Sequence, residues 1–102
     1  MAATYLWPLL SVAATYNNMG MVYKRLGRHE EAHVQYQKAL EVFLVVYGQE
    51  HLDVAKSYGN IGNVLDDMGK PEEALVQLKK ALEMFVAVFG HNHRLWRTQR
   101  ET

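Results

Sequence analysis

The strongest constraint on this chain is an internal repeat, because its sequence resembles itself when it is shifted by 42 positions. Residues 12–51 (unit 1) then align with residues 54–93 (unit 2), and 20 of the 40 aligned pairs are identical. The identical pairs include Ala13 with Ala55, Tyr16 with Tyr58, Gly20 with Gly62, Gly27 with Gly69, Ala32 with Ala74 and Gly48 with Gly90. Such a repeat is typical of stacked architectures, in which each unit buries its apolar face against a neighbour.

Each unit has the apolar spacing of two helices. Apolar or small residues recur every three or four positions, as they do on one face of a helix. In unit 1 they are Ala13, Tyr16, Gly20, Tyr23 and Leu26, followed by Ala32, Tyr36, Ala39, Leu40, Phe43 and Tyr47. Gly27 and Gly48 come after the two runs, and glycine accepts the left-handed backbone that ends many helices. The sequence therefore predicts an all-α fold of antiparallel helix-turn-helix repeats.

One segment argues for a strand instead. Residues 42–47 are rich in β-branched and aromatic side chains, which favour strands. They continue a stretch rich in glutamate and alanine, and the aligned residues 84–89 do the same in unit 2. We therefore expect tertiary packing to keep both segments helical.

Small residues mark where the two helices of a unit approach each other. Gly20 and Ala32 occupy matched places in unit 1, as do Gly62 and Ala74 in unit 2. Protein interiors are close-packed, so large aromatic side chains are expected to fill the space beside these small ones. A larger residue at Gly20 or Ala74 is predicted to overpack the contact.

These residues resemble the tetratricopeptide repeat. The resemblance is carried by Tyr16, Met19, Gly20, Tyr23, Gly27, Ala32, Tyr36 and Ala39, and in unit 2 by Tyr58, Ile61, Gly62, Leu65, Gly69, Ala74, Leu78 and Ala81. The 42-residue period looks like the kinesin-light-chain type, although Leu52 stands where that family usually has proline. The resemblance implies a right-handed superhelix whose first helices line a concave groove. It also implies a module that binds a peptide or helical segment of another protein.

The predicted groove residues lie on the side of each first helix away from its packed face. In unit 1 they are Ala14, Asn17, Asn18, Met21, Lys24 and Arg25. In unit 2 they are Lys56, Gly59, Asn60, Asn63, Asp66 and Asp67. An amide side chain can both donate to and accept from a peptide backbone. Asn18 and Asn60 are aligned, and they either bind the partner or bond to neighbouring helices.

The charges of the predicted groove differ between the units. The basic pair at 24–25 aligns with the acidic pair at 66–67. This arrangement favours an oriented partner that carries both charges, or head-to-tail pairing of two copies, or else it is only a solvated surface. The acidic pair argues against the carboxylate-binding groove known in the family, which needs basic residues from successive units.

The ends of the repeat also need partners, since about three units are normally required for a stable stack. The outer stripe of the last helix is apolar and consists of Leu75, Leu78, Leu82, Phe85 and Phe89. The tail, residues 94–102, can form a short cap with Trp96, starting from Asn92 as N-cap. Otherwise two copies pack end to end, or the chain belongs to a longer array. We expect a homo-oligomer that forms through the exposed ends, with Trp96 contributing.

Composition disfavours several other functions. Eleven basic and eleven acidic residues balance, so neither nucleic acid nor an anionic membrane is expected as the main partner. The chain has no cysteine, which removes thiolate metal sites and fits the reducing cytoplasm. His91 and His93 lack an evident third ligand, and no phosphate-binding loop or catalytic triad is present. We expect no metal, no cofactor and no enzymatic activity.

Residues 1–11 precede the repeat and are mostly apolar. A secretory signal is disfavoured, because no basic residue comes before the apolar stretch and Pro8 interrupts it. The stretch is also shorter than the roughly 20 residues that span a bilayer. We expect a lead-in that is either part of a helix or unstructured.

Overall fold

The computed structural model describes residues 2–90, with side chains from Leu6 onward. It contains four helices in this part of the chain: α1 (Ala2–Arg25), α2 (His29–Tyr47), α3 (Leu52–Asp67) and α4 (Pro71–Gly90). Residues 2–90 include no strand, and residues 42–47 belong to α2 as expected. The predicted all-α fold of helix-turn-helix repeats is confirmed. The proposed cap around Trp96 lies outside the described residues.

The turns within the two hairpins are built alike. In the first, the Arg28 N–H donates to the Tyr23 carbonyl at 2.9 Å, and the Gly27 N–H donates to the Lys24 carbonyl at 3.0 Å. This pair of bonds is the Schellman motif, which requires a left-handed residue just beyond the helix. Gly27 supplies it with a φ of 77°, and Gly69 repeats the same φ after α3. The predicted role of these glycines is confirmed.

The connector between the hairpins begins with Gly48 and ends with a histidine cap. The side chain of His51 accepts a hydrogen bond from the Asp53 N–H at 3.0 Å, through Nδ1. Its ring stacks on Tyr47, with 3.5 Å between ring centroids and an interplanar angle of 1°. The first turn of α3 is therefore attached to the last turn of α2, and residues 48–51 reverse the chain between them.

Two apolar clusters hold the helices together. α1 packs on α2 and α3 packs on α4 within the hairpins, while the α2–α3 contact joins the two hairpins. The first cluster contains Ala32, Tyr36, Ile61, Val64, Leu65 and Ala74, and the second contains Ala13, Ala39, Phe43 and Val54. Each cluster includes residues of both units, so neither hairpin has a core of its own.

The small residues lie in the close contacts that the sequence predicts. A Cβ added to Gly20 would come within 2.6 Å of the Tyr36 ring. At Gly62 it would meet Leu78 at 2.7 Å and the Ala74 carbonyl oxygen at 3.1 Å. All three distances are shorter than ordinary van der Waals contact, so glycine fits between the helices at these two positions without displacing a neighbour.

The segment before the repeat is helical. α1 begins at Ala2 and continues through Pro8 without a break. Leu10 packs against the second cluster beside Phe43. Part of the lead-in therefore extends the first hairpin and adds to its core.

Candidate partner-binding site

The first helices of the two hairpins lie side by side. The Asn60 Nδ2 donates to the Asn17 Oδ1 at 3.5 Å, and the Lys24 Nζ lies 3.7 Å from the Asp67 Oδ2. The two contacts are seven residues apart on both helices, which is about two helical turns. α1 and α3 therefore run parallel, and we call the set of predicted groove residues on these two helices the polar wall.

Most side chains of the polar wall face solvent. The exposed members are Asn18, Met21, Arg25, Lys56, Asn63, Asp66 and Asp67, whereas Asn17, Lys24 and Asn60 are half-buried. The half-buried residues are those that meet between α1 and α3. The middle of the wall is thus partly satisfied within the chain, and its flanks keep free capacity for hydrogen bonds.

The two aligned asparagines have different surroundings. Asn60 points back to α1 and reaches Asn17, which supports the alternative of a bond to a neighbouring helix. Asn18 is exposed and lines a shallow pocket beside Met19 and Val22, at the outer side of α1. The sequence treats the two as equivalent. The structure separates them, because within residues 2–90 Asn60 has a preceding hairpin to contact and Asn18 does not.

The opposite charges of the wall are paired in part. Lys24 and Asp67 form an ion pair between the units, and both side chains keep more than a third of their surface exposed. Such a pair contributes only about 0–1 kcal/mol. Neither Arg25 nor Asp66 forms an ion pair with the described residues. The wall therefore presents Arg25 on α1 and Asp66 near the end of α3 to a partner, with Lys56 near the start of α3.

A second surface, missed by the sequence reasoning, lies on the outer side of α1. We call it the head face; it consists of Val12, Thr15, Met19, Val22 and Leu26, all exposed. The aligned residues of α3 pack on α2, and Ile61 is 3% and Val64 0% exposed. The signal was present in the alignment, because apolar residues recur at four of these five positions in both units.

The opposite end of the stack carries a matching surface on α4. We call it the tail face; it consists of Leu78, Leu82, Val86 and Phe89, all exposed. Leu75, also in the stripe predicted from the sequence, is exposed too, while Phe85 is half-buried and stacks on Phe89. Contiguous apolar surface of this kind marks interaction sites on soluble proteins.

An open cleft of about 860 Å³ lies between the two hairpin turns. His33 lines it, together with Arg28, Asp67 and Lys70. Burial lowers the pKa of His33, the charge of Lys70 lowers it further, and Glu73 opposes the shift. The neutral form of His33 is therefore favoured in this cleft.

Comparison with known families agrees with the geometry of paired helices and glycine contacts. The profile of the Tetratricopeptide repeat family matches residues 11–95, most of the chain. The chain belongs to the tetratricopeptide repeat family. Members of this family are generally non-catalytic modules for protein–protein interaction. The kinesin-light-chain type stays a prediction, and no individual curated protein matches the chain.

Two further features bear on the type of site in this repeat protein. Within residues 2–90, no three metal-ligating side chains come together. His91 and His93 lie outside the described residues. None of the four helices combines the length and the apolarity needed to cross a membrane.

Proposed function

We propose that this tetratricopeptide repeat protein is a scaffold that binds a peptide or helical segment along the polar wall. The observation that carries the proposal is the unused hydrogen-bonding capacity of the wall. Asn18 and Asn63 are exposed, and the Asn60–Asn17 bond is long at 3.5 Å, at the limit of a useful hydrogen bond. An extended peptide can exchange that weak bond for stronger bonds to its own backbone.

The charges of the wall indicate the partner that it prefers. Arg25 favours an acidic group over α1, and Asp66 favours a basic group over α3. Met21, on α1 one turn before Arg25, adds an exposed, adaptable apolar contact. A peptide that carries an acidic, a basic and an apolar residue matches these three side chains.

The test is a selection of peptides from a random display library, followed by calorimetric titration of the selected peptides. We compare the wild type with the double variant Asn60→Ala, Asn63→Ala. Each lost hydrogen bond costs about 0.5–1.5 kcal/mol, so the pair should weaken binding by about tenfold. Lys79→Ala, on the exposed side of α4, is the control and should bind as the wild type does. Failure to select any peptide, or equal affinity for all three proteins, contradicts the proposal.

A second candidate function is self-association, which is favoured by the head face and the tail face. Both are apolar, and they lie at opposite ends of the same stack. In this reading the main partner of the chain is another copy of itself, and the protein is a structural element. The head face and the tail face share no residue with the polar wall, so either function can hold without the other.

For both candidates we propose a protein without catalytic activity that acts in the cytoplasm. The support is the family, whose members generally do not catalyse reactions, and a composition without cysteine, which needs no oxidising compartment. A balanced charge supports protein partners over nucleic acid.

A further inference from the structure

The contact between α2 and α3 is a template for what the head face and the tail face can bind. On its α2 side, Tyr36, Leu40, Leu44 and Tyr47 belong to the two apolar clusters. On its α3 side, the clusters contain Val54, Ile61, Val64 and Met68. This junction shows how the second helix of one unit packs on the first helix of the next.

The tail face corresponds to the α2 side of this junction, and the head face corresponds to its α3 side. The 42-residue shift converts the α2 side into Leu78, Leu82, Val86 and Phe89, which is the tail face. It converts the α3 side into Val12, Met19, Val22 and Leu26, which belong to the head face. Every aligned residue is apolar, so the tail face of one copy can pack on the head face of another as α2 packs on α3.

Thr15, the polar residue of the head face, can be buried without losing a hydrogen bond. In the internal junction Ser57 is 0% exposed, and its hydroxyl donates to the Asp53 carbonyl at 2.9 Å. Thr15 is the aligned residue, and its hydroxyl donates to the Ser11 carbonyl at 2.8 Å. Burying an unpaired hydroxyl would cost free energy, and Thr15 avoids this cost because its donor is already bonded within α1.

The charges at the edge of the junction also match, with their signs exchanged. Within the chain, Lys24 of α1 pairs with Asp67 of α3. In a continued stack, α3 of the first copy takes the place of α1, and α1 of the second copy takes the place of α3. The residue aligned with Lys24 is then Asp66, and the residue aligned with Asp67 is Arg25. The same contact thus becomes an ion pair between Asp66 of one copy and Arg25 of the next.

We propose that the tail face of one copy binds the head face of a second copy, in the register of the α2–α3 junction, with Asp66 paired to Arg25. The two surfaces differ, so the contact is head-to-tail and does not close into a symmetric dimer. One contact of the template is lost, because Gly59 aligns with Asn17 and offers no side-chain amide. The junction between copies is therefore weaker than the internal one. This inference rests on the self-association candidate above and not on peptide binding, although Arg25 and Asp66 also belong to the polar wall.

The test is sedimentation velocity of the full chain over a range of concentrations, with single and double charge swaps. The wild type should show a mass that rises with concentration beyond that of a dimer. Asp66→Arg and Arg25→Asp should each weaken association by about tenfold, because like charges then face each other. The double variant should restore it. Lys24→Asp is the matched control: it makes the same charge change at the neighbouring residue but faces Asp67 of its own chain, so association should be unchanged.

A second variant tests the apolar part. Met19 is exposed in the single chain, so Met19→Asp should leave the helical circular dichroism of a dilute sample intact and abolish association. A wild type that stays monomeric at hundreds of micromolar overturns both the self-association candidate and this inference. If Met19→Asp leaves association unchanged, or if the double charge swap does not restore association, only the proposed register is overturned. Either result indicates another contact, such as one through residues 91–102.

Discussion

Helices α1 and α3 occupy the same place in two copies of one sequence pattern, yet their outer sides differ in burial. Val22 is 47% exposed, whereas the aligned Val64 is 0% exposed. Both are valine, on helices that end in the same Schellman motif. The difference is that α3 has a hairpin before it and α1 does not have one in the described residues. In a repeat protein, burial is therefore decided by the neighbouring unit and not by the residue.

The sharpest way to test this comparison is the same substitution at both aligned positions. Val64→Asp places a carboxylate in the first cluster without a partner, which should cost more than about 3 kcal/mol of stability. Val22→Asp puts the same carboxylate on the surface and should change stability by less than about 0.5 kcal/mol. Urea unfolding of both variants, at concentrations where only monomers are present, measures the two free energies. Equal losses would mean that α1 and α3 are not in different environments.

The glycines extend the comparison to the inside of the hairpins. Gly20→Leu should cost at least about 1–3 kcal/mol, because even a Cβ there comes within 2.6 Å of Tyr36. Gly59 lies in α3 with no atom within 4 Å of an added Cβ. Gly59→Ala should stabilise the protein by about 0.5–1 kcal/mol, since glycine is unfavourable inside a helix. Thermal melting distinguishes them, and a stable Gly20→Leu variant would contradict the close helix contact.

Much of the fold was predictable from the sequence because it depends on local patterns that occur twice. Gly27 and Gly69 predict the hairpin turns, and Gly20 with Gly62 predicts the close contacts. The head face was also predictable, since Val22 and Val64 are aligned, but the sequence analysis predicted exposed apolar residues only on the last helix.

The polar wall was only partly predictable. Its residues follow from helical periodicity, but the pairing of Asn17 with Asn60 and of Lys24 with Asp67 does not. These contacts depend on how far α1 and α3 are rotated and shifted against each other. That relation is set by the packing of α2 on α3, a contact between side chains distant in sequence. A pattern within one helix does not contain it.

The helix starts give a smaller test of how the units differ. At the start of α3, His51 caps the Asp53 N–H, whereas Arg28 at the start of α2 makes no side-chain capping bond. His51→Ala should cost about 0.5–2 kcal/mol, through the lost cap and the lost stacking on Tyr47. His51→Asn should recover part of the loss because asparagine is a good N-cap. Urea unfolding measures both, and Arg28→Ala should have a smaller effect than His51→Ala. A larger loss of stability for Arg28→Ala than for His51→Ala would contradict the capping role of His51.

The smallest expected effect is a pH dependence that distinguishes the two units at one aligned position. His33 in unit 1 aligns with Leu75 in unit 2, and burial and Lys70 lower the pKa of His33. As pH falls through the ordinary histidine pKa of about 6.5, the unfolded chain therefore takes up the proton before the folded chain does. The contribution of His33 to the free energy of unfolding is therefore fully present above that pH and is lost as the pH falls below it.

Unfolding in urea at neutral and mildly acidic pH should then show a larger loss for the wild type than for His33→Leu. The two proteins share every other residue, so other contributions to the pH dependence cancel in the difference. Lys70→Gln supplies the second arm: removing that charge should raise the pKa of His33 and reduce the loss, because Lys70 reinforces the shift caused by burial. If all three proteins lose the same stability, His33 does not sense the turn of the second unit, and the contact between the two turns is looser than the cleft geometry indicates.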